Sequence, residues 1–456
     1  MMVSAKLDPG FRPLSLVCAE IREKTKESGQ DIVIGCERHK GLMKVYKTRI
    51  FEDGAGRDEE NFRFVERLVK SLLWIAGGYK IIIAGGGAVG PRIKEAFSGK
   101  GLRDFDCNFM AKIYEKPFEV ELRRLCEAPE DKGEAVSTGR HLEGCRIGFD
   151  AGGSDRKVSA VIDGEAVYSE EVVWHPKVNS DPEYHYQGIL ESFKMAASRM
   201  PRVDAIGVSS AGVYVNNRVM AASLFIKVPE DDFNARVKNM YIDVAREIGA
   251  DIPLEVANDG DVTALAGAME LDDVNVLGIA MGTSEAGGYV DSAGNITGWL
   301  NELAFVPVDF NPESAVDEWA GDYGCGVKYF SQDAVIKLAP AAGIELDAGL
   351  TPAEKLSLVQ DLMVAGHSGA ADIYQTIGVY FGYAIAYYAE FYDIKHVLLM
   401  GRVSSGEGGV ILLENAQAVL DSDFPELAEK IKLHLPDENS RRVGQSVAAA
   451  SLPEIK

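Results

Sequence analysis

Basic charge is scarce in this chain. Lys and Arg number 47 against 70 Asp and Glu, a net charge of −23 over 456 residues. A surface this acidic repels phosphate backbones, so nucleic-acid binding would need a local basic patch, and none stands out. Cysteine is sparse as well. Cys18, Cys36, Cys107, Cys126, Cys145 and Cys325 are widely spaced, with no CxxC and no Cys/His finger spacing. That excludes a zinc finger by spacing and fits reduced thiols in a cytoplasm. No apolar run approaches the roughly 20 residues that cross a bilayer. The opening MMVSAKLDPGFRP lacks the basic-then-apolar pattern of a secretory leader. The expectation is a cytoplasmic protein without membrane or nucleic-acid partners. With 46% hydrophobic and 26% charged residues, the composition is that of a globular chain of two or three domains.

What is present is a series of apolar runs that end in glycine-rich turns. In IGFDAGGSDRKVSAVID, Ile147–Asp163, one apolar run ends at Asp150, Gly152 and Gly153 follow, and a second run begins at Val158. This predicts a β-hairpin. It is either an ordinary glycine turn or an anion nest, with Asp150 placed to hold a hydrated metal ion beside a phosphate. The same theme returns at Ser209–Gly212, Asn258–Asp261, Gly282–Ser284 and Gly401–Ser405.

Before this stretch, the pattern predicts a helix near Leu16–Lys26, two strands over Asp31–Phe51 turning at His39–Gly41, a helix over Asn61–Ala76 and a strand over Tyr79–Ala84. Gly85, Gly87 and Gly90 match GxGxxG, but Pro91 falls where the helix should begin and the upstream hairpin is not βαβ. A structural strand-to-helix turn is expected there rather than a dinucleotide site. Cys107–Leu122 reads as extended, and Glu127–Gly139 as a linker. After it, helices are expected at Tyr186–Arg199, Asp231–Ile248, Leu350–Gly366, Ala370–Glu390, Gly409–Leu420 and Arg441–Leu452. Strands are expected at Glu165–Trp174, Ala205–Val208, Leu254–Ala257, Val276–Ala280 and His396–Met400. Hairpins alternating with crossover helices suggest two α/β lobes with a cleft between them.

The order DAGGS, SSAG, NDGD, GIAMGTSEAGG and LLMGRVSSGEGG resembles the ROK group (repressors, open reading frames and sugar kinases) of the actin/hexokinase superfold. The resemblance covers about residue 143 to the end. It implies a two-lobed, ribonuclease H-like ATPase fold with an interlobe cleft, plus an α/β N-terminal extension. The spans expected are 1–140 for the extension, 143–255 with 437–456 for one lobe, and 256–436 for the other. The implied activity is transfer of phosphate from ATP, with Mg²⁺, to a sugar hydroxyl. Asp259 would be the general base, and Asn258, Glu302 and Ser223 would bind the sugar. Asp150, Gly152, Gly153, Ser154, Lys157, Gly282, Thr283, Ser284, Gly401 and Arg402 would hold the nucleotide, with Asp150 on the metal through water. A homodimer is the expected assembly. NDGD also suits a helix cap, with Asp261 capping while Asp259 faces substrate.

The chain departs from the family pattern at four places. The family's histidine is replaced by Phe305. Its cysteine cluster is reduced to Cys325 within EWAGDYGC, Glu318–Cys325. One cysteine and no histidine cannot hold a structural zinc, so none is expected, with Trp319, Phe305 and Tyr323 packing in its place. Glu285 stands where the family prefers glycine, and a carboxylate beside phosphate would repel it. Arg402 also replaces a glycine. These departures motivate the alternative of a catalytically silent, sugar-binding regulatory homologue. A DNA-binding repressor fits less well, because 1–140 shows no helix-turn-helix pattern.

Overall fold

An amphipathic helix, α1 (Leu14–Thr25), opens the computed structural model, burying Leu14, Val17, Cys18 and Ile21 at helical spacing. The model describes residues 3–133, 138–435 and 441–455. Strands β1 (Gly29–Glu37) and β2 (Met43–Phe51) form an antiparallel hairpin around His39–Gly41. Helix α2 (Asp58–Ala76) starts with Asp58, Glu59 and Glu60, whose charges favour its N-terminus. Then come β3 (Lys80–Gly85), α3 (Val89–Ala96), α4 (Asp104–Tyr114) and β4 (Glu119–Arg123), giving a sheet of order β2-β1-β3-β4.

At the GxGxxG turn, the Ala88 N–H donates to Asp53 Oδ2 at 3.1 Å, and a Cβ on Gly87 would lie 1.8 Å from the same oxygen. The chain's own carboxylate thus sits at this turn. Of the stretch Cys107–Leu122 read as extended, helix α4 takes the part up to Tyr114, while Glu119–Leu122 is extended in β4. Cys107, Met110 and Ile113 are buried three apart along one helical face, and the helix ends at Glu115 with φ 51°. The expected linker lies along the sheet where it is described: Lys132 bridges Met43, and Asp131 accepts the Val45 N–H at 2.8 Å. Residues 134–137 of it lie outside the described residues.

The next part of the chain carries the antiparallel strands β5 (Cys145–Ala151), β6 (Asp155–Ile162) and β7 (Glu165–Val173), followed by α5 (Pro182–Ala197) and β8 (Ala205–Ser210). The short hairpin β9 (Val213–Val215) and β10 (Arg218–Ala221) precedes α6 (Glu230–Asp232) and α7 (Met240–Ile248). The single helix expected over Asp231–Ile248 is interrupted by a π-turn at Phe233–Val237. Just beyond it, the Lys238 carbonyl is taken by the Val219 N–H of β10 at 2.9 Å instead of by the helix. Strand β11 (Leu254–Asn258) leads into α8 (Asp259–Glu270). The sheet order is β11-β8-β5-β6-β7, with β5, β8 and β11 parallel. Its core gathers Ile147, Phe149, Trp174, Phe193, Ile206 and Tyr241.

Strands β12 (Val276–Met281) and β13 (Glu285–Val290) flank the Gly282–Ser284 turn. The remaining elements are β14 (Val316–Asp317), β15 (Asp322–Tyr323), α9 (Gln332–Leu338), α10 (Pro352–Val364), α11 (Ser368–Tyr388), β16 (His396–Met400), α12 (Glu407–Asp423), α13 (Pro425–Lys430), β17 (Lys432–His434) and α14 (Arg441–Ala450). A second sheet has the order β13-β12-β16-β17. Helix α14 lies close on β5 and β8: a Cβ on Gly148 would meet the Ser446 carbonyl at 1.9 Å, and one on Gly207 the Ala449 carbonyl at 1.7 Å.

Two compact units result. The first holds Met1–Glu134, Ile279–Gly287 and Trp299–Leu435, and the second Ala135–Gly278, Gly288–Gly298 and Pro436–Lys456. The N-terminal residues therefore share a unit with Ile279–Gly287 and Trp299–Leu435, whereas the sequence pattern sets 1–140 apart and places 256–278 with the later residues.

Candidate active site

In the second unit, three parallel strands end together, and ligands of α/β sheets sit beyond such carboxyl ends. Asp150 of β5 lies opposite Ser209 of β8, and Asn258 of β11 lies opposite Ser210. The Ser209 hydroxyl donates to Asp150 Oδ1 at 2.8 Å. Burial pushes the Asp150 carboxyl up to about 6. The Ser209 bond and the Lys157 charge oppose this, and the Asp259 charge adds to it. Asp259, the first residue of α8, is raised chiefly by burial, against the Gly260 N–H at 3.0 Å and the charge of Lys177. Two carboxylates, with the charge of Asp259 acting on Asp150, thus occupy one end of the sheet.

Asn258, not Asp261, caps α8. Its Oδ1 accepts the Gly260 N–H at 2.7 Å, and its Nδ2 donates to the Gly212 carbonyl at 2.8 Å. A sugar contact would have to use what these bonds leave over. Asp261 instead accepts the Tyr289 N–H at 3.1 Å, tying the start of α8 to β13. Ser223 is exposed on a 3₁₀ turn after β10 whose Leu224 and Phe225 are buried.

The turn between β5 and β6 is held from one side by Trp174. Its indole N–H donates to the Gly152 carbonyl at 2.8 Å, and its backbone N–H to the Ser154 carbonyl at 3.1 Å. Gly153 and Ser154 remain exposed. Lys157 Nζ is 3.2 Å from Asp155 Oδ1, and the Ser154 hydroxyl donates to Asp155 Oδ2 at 2.9 Å. Neither Trp174 nor Lys177 was anticipated. The only sequence signal was the apolar-to-polar change in VVWHPKV, which reads as an ordinary strand end.

In the first unit, the turns Gly282–Ser284 and Gly401–Ser405 are brought together. The Val403 N–H donates to the Met281 carbonyl at 3.0 Å, and Gly401, at φ 97°, lies so close that a Cβ would be 2.3 Å from that oxygen. Thr283, Ser284 and Arg402 are exposed, and the Arg402 carbonyl accepts from Gln360 at 2.8 Å. Glu285 points into this unit's core. Tyr388 donates to Oε1 at 3.4 Å, Oε2 lacks a hydrogen-bond partner, and a Cβ on Gly326 would lie 2.2 Å from Oε2. Burial raises its carboxyl to about 8, helped by the charge of Glu302. At neutral pH Glu285 is largely a neutral acid, which removes the charge repulsion expected of it. Glu302 is half-buried, with its N–H on the Trp74 carbonyl at 3.1 Å.

The Glu318–Cys325 stretch does not pack as expected. Trp319 is 72% exposed, while Phe305 stacks on Trp74 at 4.2 Å and Arg67 lies over Tyr323. Around the buried Cys325 is a charge cluster. Asp322 takes a bidentate Arg67 at 3.0 and 3.0 Å, Lys70 at 2.7 Å and Arg103 at 2.7 Å, and Glu66 pairs with Arg67 and Arg103. Asp106 is 3.5 Å from Lys70. Three cations balance three carboxylates, all buried. In place of the apolar packing expected here, the surroundings of Cys325 are thus largely ionic.

Among the described residues, no helix is long and apolar enough to cross a membrane. No family model and no curated protein matches the chain. Solved structures do. A ROK hexokinase from Thermus thermophilus aligns over 67% of this chain and 97% of its own, with a TM-score of 0.52 at 18% identity. A ROK-family transcriptional regulator, a homologue of the E. coli MLC protein, aligns over 68% of this chain and 79% of its own, with a TM-score of 0.52 at 19% identity. This mixed α/β chain has the fold of ROK-family proteins, one shared by a hexokinase and a transcriptional regulator.

Proposed function

We propose that this protein is an ATP-dependent kinase acting on a hydroxyl of a sugar or sugar-like polyol. The observation that carries the reading is Asp150 and Asp259 at the carboxyl ends of parallel strands, beside a glycine turn with exposed backbone. Burial makes Asp259 more basic, while the Gly260 N–H and the Lys177 charge keep the ionised form accessible, a combination that suits a general base. The sugar oxygen would form the new bond to the terminal phosphorus of ATP as the bond to the ADP oxygen breaks, and the hydroxyl proton would pass to Asp259.

Gly152, Gly153 and Ser154 would present backbone to phosphate. The donor set at Asp150 is oxygen only, with one carboxylate oxygen bonded to Ser209, which suits magnesium held through water. Bound there, the ion would offset phosphate charge. Gly282, Thr283, Ser284, Gly401 and Arg402 are the first unit's candidate nucleotide contacts, and Glu302 its candidate sugar ligand. A cytoplasmic homodimer is the assembly that goes with this reading.

A regulatory, catalytically silent sugar binder is the second reading, favoured by the regulator's equal TM-score and by the use of Asn258 as a cap. Isothermal titration with Mg²⁺·ATP, then with hexoses and N-acetylhexosamines, while ADP release is followed, separates the two. Sugar-stimulated ADP release that Asp259→Ala abolishes supports the kinase. Sugar binding without ATP affinity would replace it with the second reading.

A further inference from the structure

We propose that Lys177, rather than Lys157, is the cation that holds the phosphoryl group in transfer. The inference rests on the kinase reading and adds a residue to its site.

Three observations within the second unit carry it. The first is position. A Cβ on Gly153 would lie 3.0 Å from Lys177 Cε and 3.2 Å from Nζ, so the ammonium lies against the exposed face of the turn. The second is charge. Lys177 is the charged side chain that acts on Asp259, lowering its pKa. One ammonium therefore addresses both the turn that would receive phosphate and the carboxylate that would take the proton. Lys157 is differently placed: its ammonium is engaged by Asp155 at 3.2 Å, whereas no ion pair among the described residues holds Lys177.

The third observation is the way the backbone around Lys177 is held. Trp174 bonds to the carbonyls of Gly152 and Ser154, and the buried Pro176 presents its carbonyl to His185 Nε2 at 3.1 Å and to the Asn179 N–H at 3.2 Å. Residues 174–177 are thus clamped beside residues 152–154, which spares part of the ordering cost of the side chain. A compact ammonium on a flexible stem is suited to a phosphoryl group whose charge spreads over three oxygens as it moves. Lys177 forms no bond to the substrate. It offsets phosphate charge while the P–O bond to ADP breaks and the bond to the sugar oxygen forms.

The test uses the full chain and the variants Lys177→Gln, Lys177→Arg and Lys157→Gln. Two readouts are taken: sugar phosphorylation with the hexose that wild type prefers, and titration with ADP and with a non-hydrolysable ATP analogue. Removing one preorganised charge-stabilising group typically costs about 100-fold or more in kcat. Lys177→Gln is expected to lose about that much, with sugar KM within about twofold, about tenfold weaker binding of the ATP analogue and unchanged ADP affinity. Lys177→Arg should recover part of both losses, and Lys157→Gln should lose far less. Circular dichroism and Tm should stay at wild-type values, because Lys177 is exposed.

Turnover and analogue affinity retained in Lys177→Gln would overturn the assignment. An equal loss for ADP and the ATP analogue would also overturn it, since the contact would then not be to the transferred group. Absence of both nucleotide binding and ADP release in wild type would overturn the kinase reading and this inference with it, and the wild-type arm alone distinguishes that outcome.

Discussion

Two groups of acidic residues in this molecule are built on opposite electrostatic plans. In the first unit, Glu66, Asp106 and Asp322 face Arg67, Lys70 and Arg103 in a buried, charge-balanced cluster. In the second, Asp150 and Asp259 share the end of a sheet, where burial raises both and the Asp259 charge raises Asp150 further, with Lys177 and Lys157 only at a distance. The first plan spends every charge on the fold. The second leaves carboxylates under-neutralised, which is the condition in which they can take up a proton or a hydrated cation. Such charges cost stability where they stand, so the difference separates holding a structure together from preparing a site.

That contrast can be broken experimentally. The largest expected effect is on turnover: Asp259→Ala should lower kcat by about 1000-fold or more if it is the general base, with a small change in Tm. Asp322→Ala should do the reverse. It leaves three buried cations short of an acceptor, which should cost about 3–5 kcal/mol in urea unfolding, while KM and kcat of the folded fraction remain near wild type.

A pH series sharpens the comparison. The folded Asp150 carboxyl, at about 6, lies above its ordinary value of 3.8, so folding favours the protonated form and the ionised form is penalised. Stability from this group is fully present below about 3.8 and is lost as pH rises through about 6. Asp150→Asn should therefore stabilise the protein by about 2–3 kcal/mol at pH 7.5 and by nothing at pH 3.5, as read by denaturant midpoints. An unchanged midpoint at pH 7.5 would show that Asp150 is not held at this cost. Glu285, at about 8, likewise lies above its ordinary value of 4.5, so the same sign applies. Stability from its protonated form is fully present below about 4.5 and is lost as pH rises through about 8, so Glu285→Gln is expected to leave stability unchanged at pH 3.5 and to raise it progressively towards pH 9, where the native carboxyl must ionise without a cation beside it.

Much of the site was legible because glycines and acids at strand ends are local features. DAGGS turned out to be the hairpin between β5 and β6, and NDGD to be the start of α8. What misled was also local. In Cys107–Leu122 only Phe118–Leu122 alternates apolar and polar residues, and it enters β4, whereas Cys107, Met110 and Ile113 line one face of α4. Asp261 looked like the cap, but Asn258 was already at the position where a side-chain oxygen meets the Gly260 N–H. Lys157 follows the glycine turn in sequence, whereas Lys177 reaches the same turn from beyond the far end of β7.

By itself, the sequence determined the α/β class, the strands that end in glycine turns and the acids that stand on those ends. Each depends on a few neighbouring residues and on backbone freedom. Only the tertiary structure decided which charges meet. Asp322 lies 255 positions from Arg67, Glu285 turns inward toward Tyr388, and Lys177 lies over Gly153. The energy of a charge depends on its burial and on partners brought from elsewhere in the chain, and neither is written in the residues beside it.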